Sequence, residues 1–355
     1  MPRKEKVPVT VIIMTYKRKK FLKPALDSVL RNSVAPQQII LAKCFSDPIL
    51  EKELHLIGVE IITFSDDTKY GDMLNECMKL VSSDIVLLLE DDDLFFNEKI
   101  SVIFDMFSSN PSLVAIKDPP LRVHTYENQN LAEYIDHQSE KSLRNIEFED
   151  ILLPITKFSV LSRLFSKSFN ANPSTMSFRK EFLLNNYEII GCNDPPDVLM
   201  GLALIQSGRG VLRILNSPLT LYRVHESNDS IIANTSDKEI QRLVLTGKKY
   251  ICGLSKSIDA VNSSIGRVYI DSYIISIKIR NALLSADKFS YPSLNDVIKL
   301  YIDDFKLKKH KYNVVRLPIG VLVDFICRFL LSLYPQATKN IYIYLLTFYR
   351  RFYEN

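Results

Sequence analysis

Ser83-Asp84-Ile85-Val86-Leu87-Leu88-Leu89-Glu90-Asp91-Asp92-Asp93-Leu94-Phe95 is the stretch on which the reading of this chain turns. The apolar run from Ile85 to Leu89 starts with β-branched residues, is too short for a helix and has polar residues on both sides. That pattern specifies a fully buried strand. Four consecutive acids then end it. Carboxylates crowded at the mouth of a buried strand raise the energy of the site unless a cation or a hydrogen-bond network offsets them. A hard divalent metal is the expected compensator, with a solvated acidic turn as the alternative. Open α/β sheets bind ligands at the carboxyl ends of their strands, which favours the metal.

Upstream of this stretch the chain alternates strands and helices. Val7 to Met14 reads as a strand, Thr15 to Lys20 as a polar loop and Leu22 to Leu30 as a helix. In that helix Leu22, Leu26, Val29 and Leu30 fall on one face. Strands follow at Gln38 to Ala42 and Val59 to Phe64, and Gly71 opens a helix over Asp72 to Val81. Such alternation implies a parallel sheet with right-handed crossovers, a doubly wound nucleotide-binding half. Downstream, a helix is expected over Asn97 to Phe107 and a strand over Leu113 to Lys117. The remainder as far as Asn172 is polar and turn-rich, and reads as insertion and loop.

The first hundred residues resemble the nucleotide-sugar-binding half of the family-2 glycosyltransferases with the GT-A fold. Val11-Ile12-Ile13-Met14-Thr15-Tyr16-Lys17-Arg18 is similar to the family's opening strand and loop, and residues 21–30 to its first helix. Tyr70-Gly71-Asp72-Met73-Leu74-Asn75 resembles its Gly-x-x-x-(Arg)-Asn segment, and the acids occupy its Asp-x-Asp position. Further on, residues 172–180 are similar to the segment at the acceptor cleft, with an ordinary edge strand as the alternative. Leu219-Thr220-Leu221-Tyr222-Arg223-Val224-His225-Glu226-Ser227-Asn228-Asp229-Ser230 follows the family's Tyr-Arg-x-His-x-x-Asn-x-Ser segment closely.

The resemblance implies a fold class of α/β, GT-A, with a Rossmann-like, mostly parallel sheet flanked by helices and a C-terminal helical region. Residues 1–235 would form the catalytic domain and 236–355 the helical region. It also implies a nucleotide-sugar donor bound with Mn2+ or Mg2+ and a saccharide or polyprenyl-linked acceptor. Asp92 is the expected metal ligand, joined by Asp93 and His225. Thr15, Tyr16, Arg18, Asp47, Gly71, Asn75, Glu90, Asp91 and Arg223 are expected to contact the donor. The catalytic base falls in Asn193-Asp194-Pro195-Pro196-Asp197, which also starts an amphipathic helix. Asp194 is preferred and Asp197 stays open, because helix capping or a first-turn position accounts for either acid. One departure stands out. Where the family has Val-Asp-Asp-Gly-Ser, with an Asp reading the base, this chain has Ala42-Lys43-Cys44-Phe45-Ser46-Asp47. The base-reading acid is missing or displaced to Asp47, which leaves the donor nucleotide open.

Competing classes are weighed by composition and pattern. A nucleotidyltransferase would carry a Gly-rich phosphate loop near the start, and Thr15 to Lys20 has basic residues and no glycine. A degenerate GT-A scaffold that binds without transferring is a further alternative. With 355 residues and a net charge of +4, the composition is that of a globular protein and makes no case for nucleic acid. The positive charge is concentrated in the tail: from Lys299 onward there are ten Lys/Arg against four Asp/Glu. The five cysteines are far apart, with neither metal-site nor disulfide spacing, and read as buried thiols. The first residues lack an apolar leader, so a cytosolic protein is expected.

Helical periodicity continues over Lys238 to Leu254, Val268 to Leu284 and Leu294 to Phe305. Val314 to Tyr334 is the most apolar stretch, but Arg316, Asp324 and Arg328 argue against a membrane span. Ile341 to Tyr353 mixes aromatics with arginines, as an interfacial helix does. Peripheral membrane attachment is one expectation for this tail; packing on the catalytic domain or on a second subunit is the other.

Overall fold

The computed structural model describes residues 4–16, 19–124, 131–143, 146–157, 160, 173–191, 195–206, 209–225, 237–286, 292–293, 295 and 338–339. The chain divides into two compact units, Met1–Ile155 with Phe165–Val224, and Thr156–Leu164 with His225–Asn355.

The first unit begins with β1 (Lys6–Thr15), α1 (Lys19–Leu30), β2 (Ala35–Lys43), α2 (Pro48–Leu56), β3 (Val59–Thr63), α3 (Tyr70–Leu80) and β4 (Ile85–Glu90). β1 pairs in parallel with β2 and β4, and β2 with β3. Val9, Val11, Ile12 and Ile13 of β1 and Val86 to Leu89 of β4 are wholly buried. Burial on both faces explains why these strands read as continuous apolar runs. The pairing places Glu90 beside Met14 and Lys43 beside Thr15, so the polar residues that end the strands gather along one edge of the sheet.

Beyond the acid turn come β5 (Leu94–Phe95), α4 (Lys99–Ser109), β6 (Leu113–Lys117), β7 (Pro120–His124), α5 (Leu131–Leu143) and β8 (Phe148–Leu153). They are followed by β9 (Met176–Arg179), α6 (Lys180–Asn185), α7 (Tyr187–Ile190), α8 (Pro196–Gln206), β10 (Gly210–Leu215) and β11 (Thr220–Val224). The main sheet has eight strands in the order β3-β2-β1-β4-β9-β6-β10-β8, and β5-β11-β7 form a small second sheet. β9 and β8 run antiparallel to their neighbours, while β6 and β10 pair in parallel. The architecture is thus the expected α/β, GT-A-like mixture, mostly parallel.

Two readings of the middle of the chain need correction. The span taken as insertion and loop contains β7, α5 and β8. β8 is an edge strand that leaves Phe148 52% and Leu152 78% exposed, so its apolar residues do not follow a buried face. The alternative reading of residues 172–180 as an edge strand also fails. β9 lies inside the sheet, between β4 and β6, and its four residues are too few to show a period.

In the second unit α9 (Asp237–Ser257) and α10 (Ser264–Ser285) pack on one another through Ile240, Leu243, Val244 and Leu284. Ser263 caps α10 by accepting from the Gly266 amide at 2.9 Å. Both helices extend the expected ranges by a few residues. The segments expected at 314–334 and 341–353, and all of 294–305 except Asn295, fall outside the described residues. Among the described residues, no helix is long and apolar enough to cross a membrane. Cys44 and Cys77 are buried free thiols as expected, whereas Cys252 is exposed. It follows Leu243 by nine positions along α9, half a turn out of phase with that buried contact.

Lys117 closes β6 with only 1% of its surface exposed, and its Nζ has no hydrogen-bond partner. Burial pushes its pKa down to about 8, against the pull of Asp118 and with the repulsion of Lys99. The charged amine is therefore a cost to the fold that is fully present below about pH 8. That cost fades as the pH rises toward 10.5, the ordinary lysine value from which the folded state departs. Lys117→Met should stabilise the protein at pH 7 by roughly 2 kcal/mol, with most of the gain gone by about pH 10. Urea denaturation of both proteins across that range measures it.

Candidate active site

The acid turn lies at the carboxyl end of β4 and is held from three sides. The Asp91 amide donates to the Met14 carbonyl at 3.0 Å, and the Thr15 hydroxyl donates to Asp91 Oδ2 at 2.6 Å. Asp91 is therefore turned toward the end of β1. The Glu90 amide donates to Ser174 Oγ at 2.9 Å, and Ser174 belongs to the short 3-10 turn Pro173–Thr175. Within the turn the Asp93 amide reaches back to the Glu90 carbonyl at 3.2 Å.

The third side is β11, which pairs antiparallel with β5 and so brings Arg223 to the turn. The Arg223 amide donates to Asp93 Oδ1 at 3.1 Å, and its Nε donates to the Asp92 carbonyl at 2.9 Å. Its guanidinium also lies over the Phe21 ring, 4.7 Å from the centroid. Burial lowers the Arg223 pKa, with the Asp92 and Asp93 carboxylates acting in the opposite direction. Arginine keeps its proton regardless, so Arg223 gives the turn a fixed cation.

Glu90, Asp92 and Asp93 each offer a carboxylate oxygen, and these oxygens lie within 4.8 Å of one another. Asp92 is 4% exposed and Asp93 wholly buried, while Glu90 is half-buried. At an effective dielectric constant of about 20, two carboxylate charges 4.8 Å apart repel by roughly 3.5 kcal/mol, and by more at shorter range. Three all-oxygen donors at this spacing suit a hard divalent ion such as Mg2+ or Mn2+. The donor set fits the metal that the sequence implied.

The remaining expected site residues have different placements. Tyr16 donates from its hydroxyl to the Asp66 carbonyl at 2.8 Å, tying the end of β1 to the loop after β3. Asp47 caps α2: its carboxylate accepts from the Leu50 amide and from Lys19, both at 3.2 Å. Those two contacts, the amide first, hold its pKa below the usual carboxylate range. Lys43, which the family comparison put near the base-reading position, is wholly buried and donates to Glu51 at 2.7 Å. Gly71 and Asn75 lie on α3 and, with Leu74, Met78, Tyr187 and Gly191, line a narrow cavity of about 10 Å³. Asp197 is half-buried in the first turn of α8. Arg18 and Asp194 lie outside the described residues, and His225 follows β11 as a member of the second unit. The structure thus brings together Thr15, Glu90, Asp91, Asp92, Asp93 and Arg223.

Lys99 and Asp118 are not among the residues expected from the sequence, and Ser174 and Thr220 lie in the segments 172–180 and 219–230 without an expected role of their own. Lys99 Nζ donates to Asp118 Oδ1 at 2.8 Å, and both side chains are buried. The one local signal was a charged pair, Lys117-Asp118, directly after an apolar strand.

Residues 10–169 match the family model for glycosyl transferase family 2. This segment is similar to glycosyl transferase family 2. The chain is accordingly a glycosyltransferase, and the acid turn sits inside the matched residues. Among solved structures, TarS 1–349 of S. aureus in complex with UDP-GlcNAc is similar to it with a TM-score of 0.50. Identity is 13%, over 97% of this chain and 92% of that one. The mannosyltransferase PcManGT of Pyrobaculum calidifontis, in complex with GDP-Man and Mn2+, has a TM-score of 0.44 and 11% identity, covering 93% and 88%. The likeness to TarS supports the GT-A fold of this glycosyltransferase. No curated protein sequence matches the chain.

The close approach of α3 to Gly191 can be tested directly. A Cβ at Gly71 would lie 2.7 Å from Gly191 backbone atoms, which have no flexible end to move aside. Gly71→Ala should lower stability by about 2 kcal/mol, as overpacking does, read as a shift of the urea midpoint.

Proposed function

We propose that this chain is a metal-dependent, inverting glycosyltransferase that moves a sugar from a nucleotide-sugar donor to a hydroxyl of a lipid-linked or surface-glycan acceptor. The observation that carries the reading is the Glu90, Asp92 and Asp93 group, with its carboxylate oxygens within 4.8 Å at a strand end. Asp92 and Asp93, with Glu90, would hold Mn2+ or Mg2+, which when bound neutralises charge on the leaving diphosphate.

The chain's own residues have separable tasks in this reading. Asp91, tied to Thr15, anchors the turn to β1. Arg223 holds Asp92 through its carbonyl and Asp93 through its carboxylate, so the acids are fixed before any ligand arrives. Asp194 or Asp197 is the proposed base, taking the proton from the acceptor hydroxyl as it attacks the anomeric carbon. A single displacement from the face opposite the leaving group inverts the configuration. Residues 1–235 form the catalytic domain in this proposal. The basic, aromatic tail attaches the protein to the cytosolic face of a membrane.

Two measurements test this. Mn2+-dependent hydrolysis of UDP-, GDP- and dTDP-sugars should identify a donor for the wild type, and Asp92→Asn should lower that rate by roughly 100-fold, the scale of a lost transition-state charge contact. A rate equal to the wild type would remove Asp92 from the metal site. A protein truncated after Asp304 should fail to float with anionic vesicles that carry the full chain; flotation of both would defeat the attachment.

A further inference from the structure

We propose that the buried Lys99–Asp118 pair is a positioning device for the acid turn, setting the affinity of Glu90, Asp92 and Asp93 for a divalent cation without touching it. The proposal rests on the metal-binding reading above and adds residues that no part of that reading contains.

Lys99 opens α4 and is wholly buried, with its Nζ 4.6 Å from the centroid of the Phe95 ring. The ammonium has three protons and three acceptors: Asp118 Oδ1 at 2.8 Å, the Ser174 carbonyl at 2.8 Å and Thr220 Oγ1 at 2.6 Å. Asp118 Oδ2 accepts from the Leu219 amide at 3.1 Å and from the Thr220 hydroxyl at 2.7 Å. The Asp118 amide in turn donates to the Thr175 carbonyl at 3.1 Å. One ion pair therefore joins four segments that are far apart in sequence: the start of α4, the end of β6, the 173–175 turn and the start of β11.

Two of those segments are the ones that hold the acids. Ser174, whose carbonyl Lys99 grips, accepts the Glu90 amide on its hydroxyl at 2.9 Å. Thr220, gripped by both partners, begins the strand that presents Arg223 to Asp92 and Asp93. α4 itself follows Asp93 by six residues, so the pair also fixes the exit of the turn. Burial alone lowers the Lys99 pKa, and Asp118 is the principal group opposing that shift. A buried pair of this kind seldom outperforms apolar side chains in stability, so its worth here is the geometry on which its hydrogen bonds converge.

Lys99→Met with Asp118→Asn removes both charges together, leaving an amide oxygen for the Leu219 amide and no orphaned ion. Binding of Mn2+ in the presence of UDP or GDP, followed by electron paramagnetic resonance, is compared with the melting temperature. The double variant should keep a cooperative melt while its Mn2+ dissociation constant rises tenfold or more. In hydrolysis the half-saturating Mn2+ concentration should rise while the rate at saturating Mn2+ recovers toward the wild type. An unchanged Mn2+ constant in the folded variant overturns the proposal. Should the double variant fail to fold, Thr220→Val, uncharged and of the same shape, carries the comparison, with a threefold weaker constant expected and an unchanged one decisive against. Asp92→Asn is the reference: Mn2+ binding that survives it defeats the metal reading itself, whereas binding lost there and kept in the double variant defeats only the role of Lys99 and Asp118.

Discussion

Mutual repulsion of carboxylates at the end of a buried strand is the constraint on which the first unit depends. β4 delivers Glu90 and the following acids to an edge where Asp91, Asp92 and Asp93 are at most 4% exposed. Water cannot screen charges held that deep, so the protein must supply the compensation. Contacts that are long-range in sequence hold the turn: Thr15 from β1 on the Asp91 carboxylate, and Ser174 from the turn before β9 and Arg223 from β11 on its backbone. The strand order follows the same need. Inserting β9 between β4 and β6 brings Ser174 beside Glu90, and the small β5-β11-β7 sheet brings Arg223 beside Asp93.

Much of this architecture was legible before any coordinates. β1, β2, β4 and α1 could be read because parallel strands buried on both faces make unbroken apolar runs, and a helix packed on them keeps one apolar stripe. The acids were legible for a related reason: an ionised group abutting a core strand is anomalous wherever it occurs. What escaped detection has no local signature. β8 exposes Phe148 and Leu152 at a sheet edge, β9 has four residues, and α5 contributes a single wholly buried apolar side chain, Ile135, among its described residues. Lys99 and Asp118 are separated by 19 positions and meet only after the sheet is assembled. No pattern in the sequence could mark a lysine at a helix start as wholly buried.

Three lysines, Lys43, Lys99 and Lys117, are among the largest wholly buried side chains. Lys43 and Lys117 lie at carboxyl ends of strands, and Lys99 follows the turn that β4 leads into. Two have acids: Lys43 reaches Glu51 and Lys99 reaches Asp118. Lys117 has none, because the neighbouring Asp118 commits one carboxylate oxygen to Lys99 and the other to Leu219 and Thr220. Competition for one carboxylate thus decides which amine is hydrogen-bonded to an acid, Lys99, and which is not, Lys117. The same accounting explains Asp47. With its oxygens given to the Leu50 amide and Lys19, it serves the start of α2, and the end of β2 presents a buried cation where the resembling family presents an acid.

The division of labour around the turn bears on how such a site would take up a cation. Arg223 directs its Nε to the Asp92 carbonyl and its amide to one oxygen of Asp93, so it fixes the backbone of the turn while its charge lies close to both carboxylates. These contacts hold the acids where their oxygens lie within 4.8 Å of one another. Residual repulsion in a preorganised cluster is a driving force for binding, because a divalent ion then gains attraction without having to gather its ligands. On the metal-binding reading, the affinity of the turn is therefore set by how rigidly it is held, and the scaffold behind it matters as much as the three carboxylates in front.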